Sequence, residues 1–184
     1  MTKIPDIKEL QPLPPVWTDK ARRAVVVLLF LENPDTSIVD VVLTRRTLTV
    51  GSHKGQIGFA GGRVEPEDKG PWATACREIG EELGIPSHVL EPIGMLPERT
   101  SLDGASVVPI VAIGRFARSD LVLQADEVAD VLFVPWNLLT RDQAERFQFN
   151  IFGRWRNSHV FHANNSLIWG LTAQILYHAD FCHS

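Results

Sequence analysis

Short apolar runs separated by turn-forming segments dominate the pattern along the first third of the chain. Ala24–Phe30 (AVVVLLF) and Ile38–Thr44 (IVDVVLT) are rich in β-branched residues, and the intervening LENPDTS is rich in turn formers. This alternation predicts a hairpin of two buried strands. Further strands are predicted at Leu90–Met95, Ser106–Ile113 and Val128–Val134.

Two longer segments carry apolar residues at helical spacing. Pro71–Leu83 has proline in its first turn, and Gly84 directly after it is typical of a left-handed helix cap. A second helix is predicted over Ser166–Tyr177, and a short one around Gln143. Because strands and helices do not alternate as regular βαβ units, the pattern predicts an α/β chain of the α+β type, with a mixed sheet between helices.

A glycine-rich loop precedes the first helix. The segment 51–62 (GSHKGQIGFAGG) holds five glycines, which is too many for a regular element, although one short strand is predicted around Ile57. Such a segment allows the backbone to approach a ligand closely. We expect Gly61 and Gly62 both to serve this close approach rather than core packing.

Three carboxylates lie close together on the helix that follows. Glu78, Glu81 and Glu82 stand at positions i, i+3 and i+4, on the face turned away from the apolar stripe. One interpretation is a solvated glutamate-rich face balanced by Arg77. The other is a set of hard oxygen ligands for magnesium or manganese, since a divalent ion would relieve the repulsion between these charges.

Taken as one segment, GGRVEPEDKGPWATACREIGEELGI resembles the Nudix box, written G-x5-E-x7-R-E-U-x-E-E-x-G-U, where U is a bulky apolar residue. The positions that match are Gly62, Arg77, Glu78, Ile79, Glu81, Glu82, Gly84 and Ile85. The first acidic position falls on Asp68, and eight rather than seven residues separate it from Arg77, which indicates a one-residue loop insertion. The resemblance implies a Nudix αβα sandwich and a hydrolase that attacks a phosphorus of a substituted nucleoside diphosphate with a metal-activated water.

The resemblance also implies roles for individual residues. Glu78 and Glu82 are the first metal ligands it implies and Glu81 is the next, with a backbone carbonyl of Gly61 or Gly62 as a further contributor. The ion implied is Mg²⁺ or Mn²⁺. These three glutamates also form the implied catalytic set.

Two further residues receive a role with an alternative. In many Nudix enzymes a glutamate near Glu127 adds a metal ligand or a general base, although here it could equally belong to a solvated loop. Arg77 is interpreted as a structural residue that holds the loop against the helix rather than as a phosphate contact. Its expected partners are Glu65, Glu67 and Asp68.

The segment LTRRTLTVGSHKGQIGFAGG resembles an additional signature of the coenzyme A pyrophosphatase subfamily, LLT-x-R-[SA]-x3-R-x3-G-x3-F-P-G-G. The positions in register are Leu43, Thr44, Arg46, Gly55, Phe59, Gly61 and Gly62. Thr47, Gly51 and Ala60 depart from it, and Gly51 stands where the signature has its second arginine. That arginine would be a plausible anchor for the extra phosphate of coenzyme A, and His53 or Lys54 is the substitute that we expect.

The combined pattern favours coenzyme A as substrate, cleaved to 4′-phosphopantetheine and adenosine 3′,5′-bisphosphate. ADP-ribose and nucleoside diphosphate sugars are the alternatives, and a non-catalytic Nudix-fold binding module, which should have lost box carboxylates, is another. The candidate phosphate contacts are Arg46, His53, Lys54, Arg63 and Arg99.

Composition and charge narrow the classes of protein that fit. The length of 184 residues predicts one domain over 1–184, with a proline-containing lead over 1–20 and the box at about 61–85. The net charge of −4 argues against nucleic acid as a partner, and the absence of an apolar run of about 20 residues argues against a membrane. Two distant cysteines, Cys76 and Cys182, fit a reducing cytoplasm. A homodimer is left open.

Overall fold

The computed structural model describes residues 5–7, 9–21, 23–33, 38–48, 54–151 and 153–180. Its strands, in chain order, are β1 (Arg23–Glu32), β2 (Val39–Arg46), β3 (Ile57–Gly58), β4 (Ala60–Arg63), β5 (Leu90–Met95), β6 (Arg99–Thr100), β7 (Ser106–Gly114), β8 (Val128–Pro135), β9 (Glu145–Ile151), β10 (Arg154–Ala163) and β11 (Ser166–Ile168). Its α-helices are α1 (Pro71–Leu83) and α2 (Gly170–Ala179).

Strands β1 to β8 form one mixed sheet around β1. This strand is parallel to β7 and antiparallel to both β2 and β4. The main strand order is β3-β2-β1-β7-β5, with β6 paired to β7 and β8 paired to β2. Phe30 pairs with Val41, which confirms the predicted hairpin of β1 and β2. The other strands, β9 to β11, form a separate three-stranded sheet.

Alternate residues of β1 pack against different helices. Leu28 and Phe30 belong to the apolar cluster that contains α2, whereas Val27 and Leu29 belong to the cluster that contains α1. Successive side chains of a strand point to opposite faces, so the sheet is covered on both sides. This explains why β1 reads as a continuous apolar run, and it confirms the predicted sandwich with a mixed sheet between helices.

Helix α1 has the bounds that the sequence predicts. Gly84 ends it with φ 71°, and its N–H donates to the carbonyl of Gly80 at 3.1 Å. Ile79 and Leu83 are fully buried against the sheet, and burial of side chains of this size contributes about 1.5–3 kcal/mol each. No helix in the described part of the chain is long and apolar enough to cross a membrane.

The C-terminal region departs from the prediction in three places. The predicted helix over Ser166–Tyr177 is wrong at its start, because Ile168 of β11 pairs with Phe161 of β10 and α2 begins only at Gly170. The positive φ of Gly170, 69°, changes the direction of the chain between β11 and α2. Strand β9 was not predicted. The predicted short helix around Gln143 is a single 3₁₀ turn.

Candidate active site

Two glycines of β4 form the floor of the site. A Cβ on Gly61 would lie 2.8 Å from the Cα of Val26, and the residue has φ 149°, so only glycine fits there without strain. A Cβ on Gly62 would instead lie 2.5 Å from Oε2 of Glu78. The carboxylate of Glu78 therefore lies directly against the backbone of Gly62.

Two glutamates of α1 are buried over this floor. Glu78 is 9% exposed and Glu82 is 4% exposed, and the N–H of Gly61 donates to Oε2 of Glu82 at 3.2 Å. Burial raises the pKa of Glu82 to about 7. The hydrogen bond from Gly61 acts to lower this pKa, and the negative charge of Glu78 acts to raise it further. Burial also raises the pKa of Glu78, against the opposing effect of Arg77.

The solvated face considered from the sequence is therefore wrong for Glu78 and Glu82. Helical spacing correctly places both glutamates away from the apolar stripe of α1. The backbone of Gly61 and Gly62 in β4, which carries no side chains, nevertheless lies against the face of α1 that holds the glutamates. Helix α1 can then approach β4 closely and cover both carboxylates. Only Glu81 of the three remains exposed, and it accepts a hydrogen bond from Nη1 of Arg77 at 3.0 Å.

Glu127 lies near the buried pair. Its side chain is exposed just before β8, and its negative charge is close enough to raise the pKa of both Glu78 and Glu82. The segment is held by Thr47, whose N–H donates to the carbonyl of Glu127 at 2.9 Å and whose hydroxyl donates to the carbonyl of Asp126 at 2.8 Å. Thr47, the residue directly after β2, thereby positions the glutamate.

Arg77 ties the glycine-rich loop to α1. Its Nε and Nη2 donate to the two carboxylate oxygens of Asp68 at 3.2 and 3.0 Å, and Nη2 also donates to the carbonyl of Arg63 at 2.9 Å. Glu65 is more distant, at 3.7 Å. Among the predicted partners Asp68 thus makes the bidentate contact, which is the geometrically specific form of an arginine–carboxylate pair.

A cleft of about 570 Å³ opens beside Gly61 and Gly62. Arg46 and Arg63 line it, and Arg46 also counteracts the raised pKa of Glu82 with its positive charge. Nε of Arg46 is buried and has no hydrogen-bond partner among the described residues. A buried cationic donor without a partner is costly, so an anion close to this guanidinium group would stabilise it.

Sequence comparisons identify the family of this chain. The NUDIX domain matches residues 20–154. A protein named uncharacterized Nudix hydrolase NudL, from Photorhabdus laumondii, is 34% identical over 172 residues, which cover 92% of this chain and 89% of the relative. The protein of the same name from Yersinia pestis is 32% identical over 158 residues, which cover 85% and 77%. The chain belongs to the Nudix hydrolase family.

Solved Nudix structures share the fold. A MutT/nudix family protein from Enterococcus faecalis superposes with a TM-score of 0.55 at 16% identity, covering 92% of this chain and 63% of that one. RenU, a Nudix hydrolase from M. smegmatis, superposes with a TM-score of 0.52 at 19% identity, covering 62% and 70%. The predicted Nudix fold and enzyme class are confirmed, and Nudix hydrolase activity on a nucleoside diphosphate derivative follows from the family.

The buried pair fits the divalent cation that Nudix hydrolases generally use. Glu78 and Glu82 supply hard oxygen donors whose ionised form burial disfavours, so a cation would stabilise it. Within the described residues no three carboxylate, imidazole or thiol groups are grouped to hold an ion. Two carboxylates are nevertheless sufficient for Mg²⁺, which usually keeps several waters and binds substrate phosphates.

The structure brings together only some of the predicted phosphate contacts. Arg46 and Arg63 line the Nudix cleft, whereas Lys54 is exposed in a turn and is not among the lining residues. Gly51 and His53 lie outside the described residues.

The structure places Arg99, another predicted phosphate contact, away from the Nudix cleft. Arg99 lines a different crevice, beside Glu9 and His178, and its charge contributes to lowering the pKa of His178. The reason is topological: Arg99 lies on β6 with its side chain toward the α2 side of the sheet, which residue charge and sequence order do not reveal.

Sequence reasoning missed two charged residues of the cleft. Arg23 at the start of β1 forms an ion pair with Glu98, and Asp103 lies 3.5 Å from Arg63 at the exposed rim. Arg23 directly precedes the apolar run of β1, and a charged residue in that position is a usable signal for the end of a buried strand. Asp103 carried no signal, because its position depends on how the loop after β6 folds back toward β4.

Proposed function

We propose that this Nudix hydrolase cleaves the diphosphate of coenzyme A, giving 4′-phosphopantetheine and adenosine 3′,5′-bisphosphate, with Mg²⁺ or Mn²⁺. One observation carries the proposal: two buried carboxylates, Glu78 and Glu82, lie against side-chain-free backbone next to a cleft that Arg46 and Arg63 line. This combination offers a cation site and anion contacts side by side. A diphosphate needs both.

The carboxylates of the site are the proposed cation ligands. Glu78 and Glu82 would hold the cation, with Glu81 or a backbone carbonyl of Gly61 or Gly62 as the next ligand. Once bound, the cation would lower the pKa of a water and neutralise phosphate charge.

The remaining groups orient the substrate and accept a proton. The guanidinium group of Arg46, which lines the cleft, is suited to hold a non-bridging phosphate oxygen through a charge-assisted hydrogen bond. Glu127 is the proposed proton acceptor, because it is exposed yet close enough to affect both buried glutamates electrostatically. The water oxygen forms a new bond to one phosphorus while the bond from that phosphorus to the bridging oxygen breaks. The leaving phosphate keeps the bridging oxygen.

Coenzyme A is favoured among diphosphates by the signature upstream of the box. Its arginine, Arg46, is the residue whose Nε has no partner in the cleft. Its threonine, Thr44, and its phenylalanine, Phe59, are buried, and the Thr44 hydroxyl donates to the carbonyl of Gly58, which joins β2 to β3. The departure at Gly51 leaves Lys54 as the described residue we propose for the 3′-phosphate.

The test is a substrate screen with product identification. Coenzyme A, dephospho-coenzyme A, ADP-ribose, a sugar nucleotide and a nucleoside triphosphate are compared by kcat/KM, and products formed in ¹⁸O-water are identified by mass. The proposal expects coenzyme A to lead, with one ¹⁸O in one of its two phosphorylated products. ADP-ribose cleaved far faster than either coenzyme form would reject the substrate while leaving diphosphate hydrolysis intact.

A further inference from the structure

A second crevice lies on the C-terminal part of the chain, between the β9–β10 hairpin and α2. It measures about 650 Å³ and shares no lining residue with the Nudix cleft. Arg146 of β9 and His159 of β10 are cross-strand partners, so their side chains emerge on the same face of the hairpin. Tyr177 of α2 closes the crevice from the other side.

Tyr177 is the centre of a cluster of cationic and aromatic groups. The ring of His159 stacks on it with centroids 3.6 Å apart and an interplanar angle of 10°. The guanidinium carbon of Arg141 lies 4.5 Å from the Tyr177 ring centroid. Hydrogen bonding from Arg141, reinforced by Arg146, lowers the pKa of the Tyr177 hydroxyl. Arg141 therefore covers the ring of Tyr177, and both arginines lie close enough to affect its hydroxyl electrostatically.

This positive cluster has little negative charge to balance it. In the ion pairs of the described residues, neither Arg141 nor Arg146 has a carboxylate partner within 4.0 Å. Glu145 lies 3.4 Å from His162 instead, and the carboxylate of Asp180 accepts the backbone N–H of Arg141 at 2.6 Å rather than pairing with its guanidinium group. Burial and then the charge of Arg146 lower the pKa of His159.

The chemistry of the lining selects the ligand class. The guanidinium group of Arg146 presents N–H donors in a fixed fork that matches tetrahedral and planar oxyanions, and the side-chain amides of Gln148 and Asn157 add polar groups on the same face. The whole chain has net charge −4, so the phosphate backbone of a nucleic acid is disfavoured as the ligand. A small anion is the ligand that fits.

We propose that this crevice binds the phosphate group of a small molecule, at a site separate from the Nudix cleft. The inference does not rest on the proposed function, because none of its residues takes part in diphosphate cleavage. Free phosphate and the phosphate group of a nucleoside monophosphate offer the same oxyanion to the crevice, and experiment distinguishes the two ligands.

The experiment follows the imidazole resonances of His159 by NMR while inorganic phosphate, AMP or adenosine is added to the full chain without divalent cation. His159→Gln assigns the signals. Saturable shifts are expected with both phosphate compounds and none with adenosine. AMP binding tighter than phosphate identifies a nucleotide site, whereas equal affinities identify a site for free phosphate.

Variants locate the site. Arg146→Ala, which removes an exposed side chain, should weaken phosphate binding by about 10-fold or more, as expected for one charge-assisted contact. Arg115→Ala is the matched control, because Arg115 is exposed and paired with Glu91 on β5, and it should leave the affinity unchanged. Tyr177→Phe provides a second variant that keeps the ring stack. Absence of saturable His159 shifts, or equal affinity in Arg146→Ala and the wild type, would overturn the proposal.

Discussion

Gly62→Ala is the substitution whose consequence the structure defines most sharply. Gly62 does not have a positive φ, so alanine is compatible with its backbone. The new Cβ, however, would stand 2.5 Å from Oε2 and 2.6 Å from Cδ of Glu78. An ordinary contact needs at least about 3.4 Å, so the carboxylate must retreat by roughly 1 Å.

That displacement should reduce catalysis more than stability. A misplacement of about 1 Å in a catalytic group costs on the order of 100-fold in rate. The free energy of unfolding should change by no more than about 1 kcal/mol, because the group that moves is the end of a side chain. Gly61→Ala is the matched comparison: its Cβ meets backbone of β1 at a φ of 149°, and strain there costs about 1–3 kcal/mol before any overlap is counted.

The assay compares kcat on the best substrate with urea unfolding for both variants. The sequence alone predicts the same behaviour for the two glycines, whereas the structure separates them: Gly62→Ala should lose rate and Gly61→Ala should lose both rate and stability. If Gly62→Ala retains near-full rate, or if its stability falls as far as its activity, the placement of Glu78 against this glycine is refuted.

Three other predictions follow from single residues. Burial raises the pKa of Asp68, but the hydrogen bonds from Arg77 and from the Glu65 N–H outweigh burial, so the net pKa lies below the usual 3.8. The ionised Asp68 carboxylate therefore stabilises the fold above pH 3.8, and this stability is lost as pH falls through the lowered pKa. Urea unfolding should therefore show an acid-side loss of stability that is weaker in Asp68→Asn. Burial raises the pKa of Cys76 to about 11, so its alkylation at pH 8, followed by peptide mapping, should be about 100-fold slower than in unfolded chain; equal rates would contradict its burial. Lys54→Ala should abolish any preference for coenzyme A over the dephospho form, measured as a kcat/KM ratio, and an unchanged ratio would exclude Lys54 as the 3′-phosphate contact.

Local patterns were sufficient to predict much of the fold. The apolar runs of β1 and β2 and the proline and glycine that bound α1 each act within a few residues, so the hairpin and the helix were predicted with accurate positions. The apolar spacing predicts a start of α2 at Ser166, which is too early because Ser166–Ile168 pair with β10 as β11 and the helix begins at Gly170. Strand β9 carried an overlooked signal: Phe147 and Phe149 alternate with polar residues.

Features that depend on distant parts of the chain were not predictable. The burial of Glu78 and Glu82 depends on the pairing of β4 with β1, which turns two glycines toward α1. The electrostatic coupling of Arg46 to Glu82 joins residues on different elements. A sequence motif could name these residues, but their shared environment exists only once the sheet has formed.

The central claim is that the buried pair holds the catalytic cation. Its most direct test measures turnover together with the rise in Tm on adding Mn²⁺, in Glu78→Gln, in Glu82→Gln and in Glu91→Gln, an exposed carboxylate on β5 that serves as control.

The account predicts that both site variants lose turnover by orders of magnitude and lose the Mn²⁺-dependent rise in Tm, while remaining at least as stable as the wild type without metal, because a neutral amide is cheaper to bury than a carboxylate. Glu91→Gln should match the wild type in both measurements. Near-full turnover in either site variant at saturating metal, or a rise in Tm equal to that of the wild type, would contradict the claim.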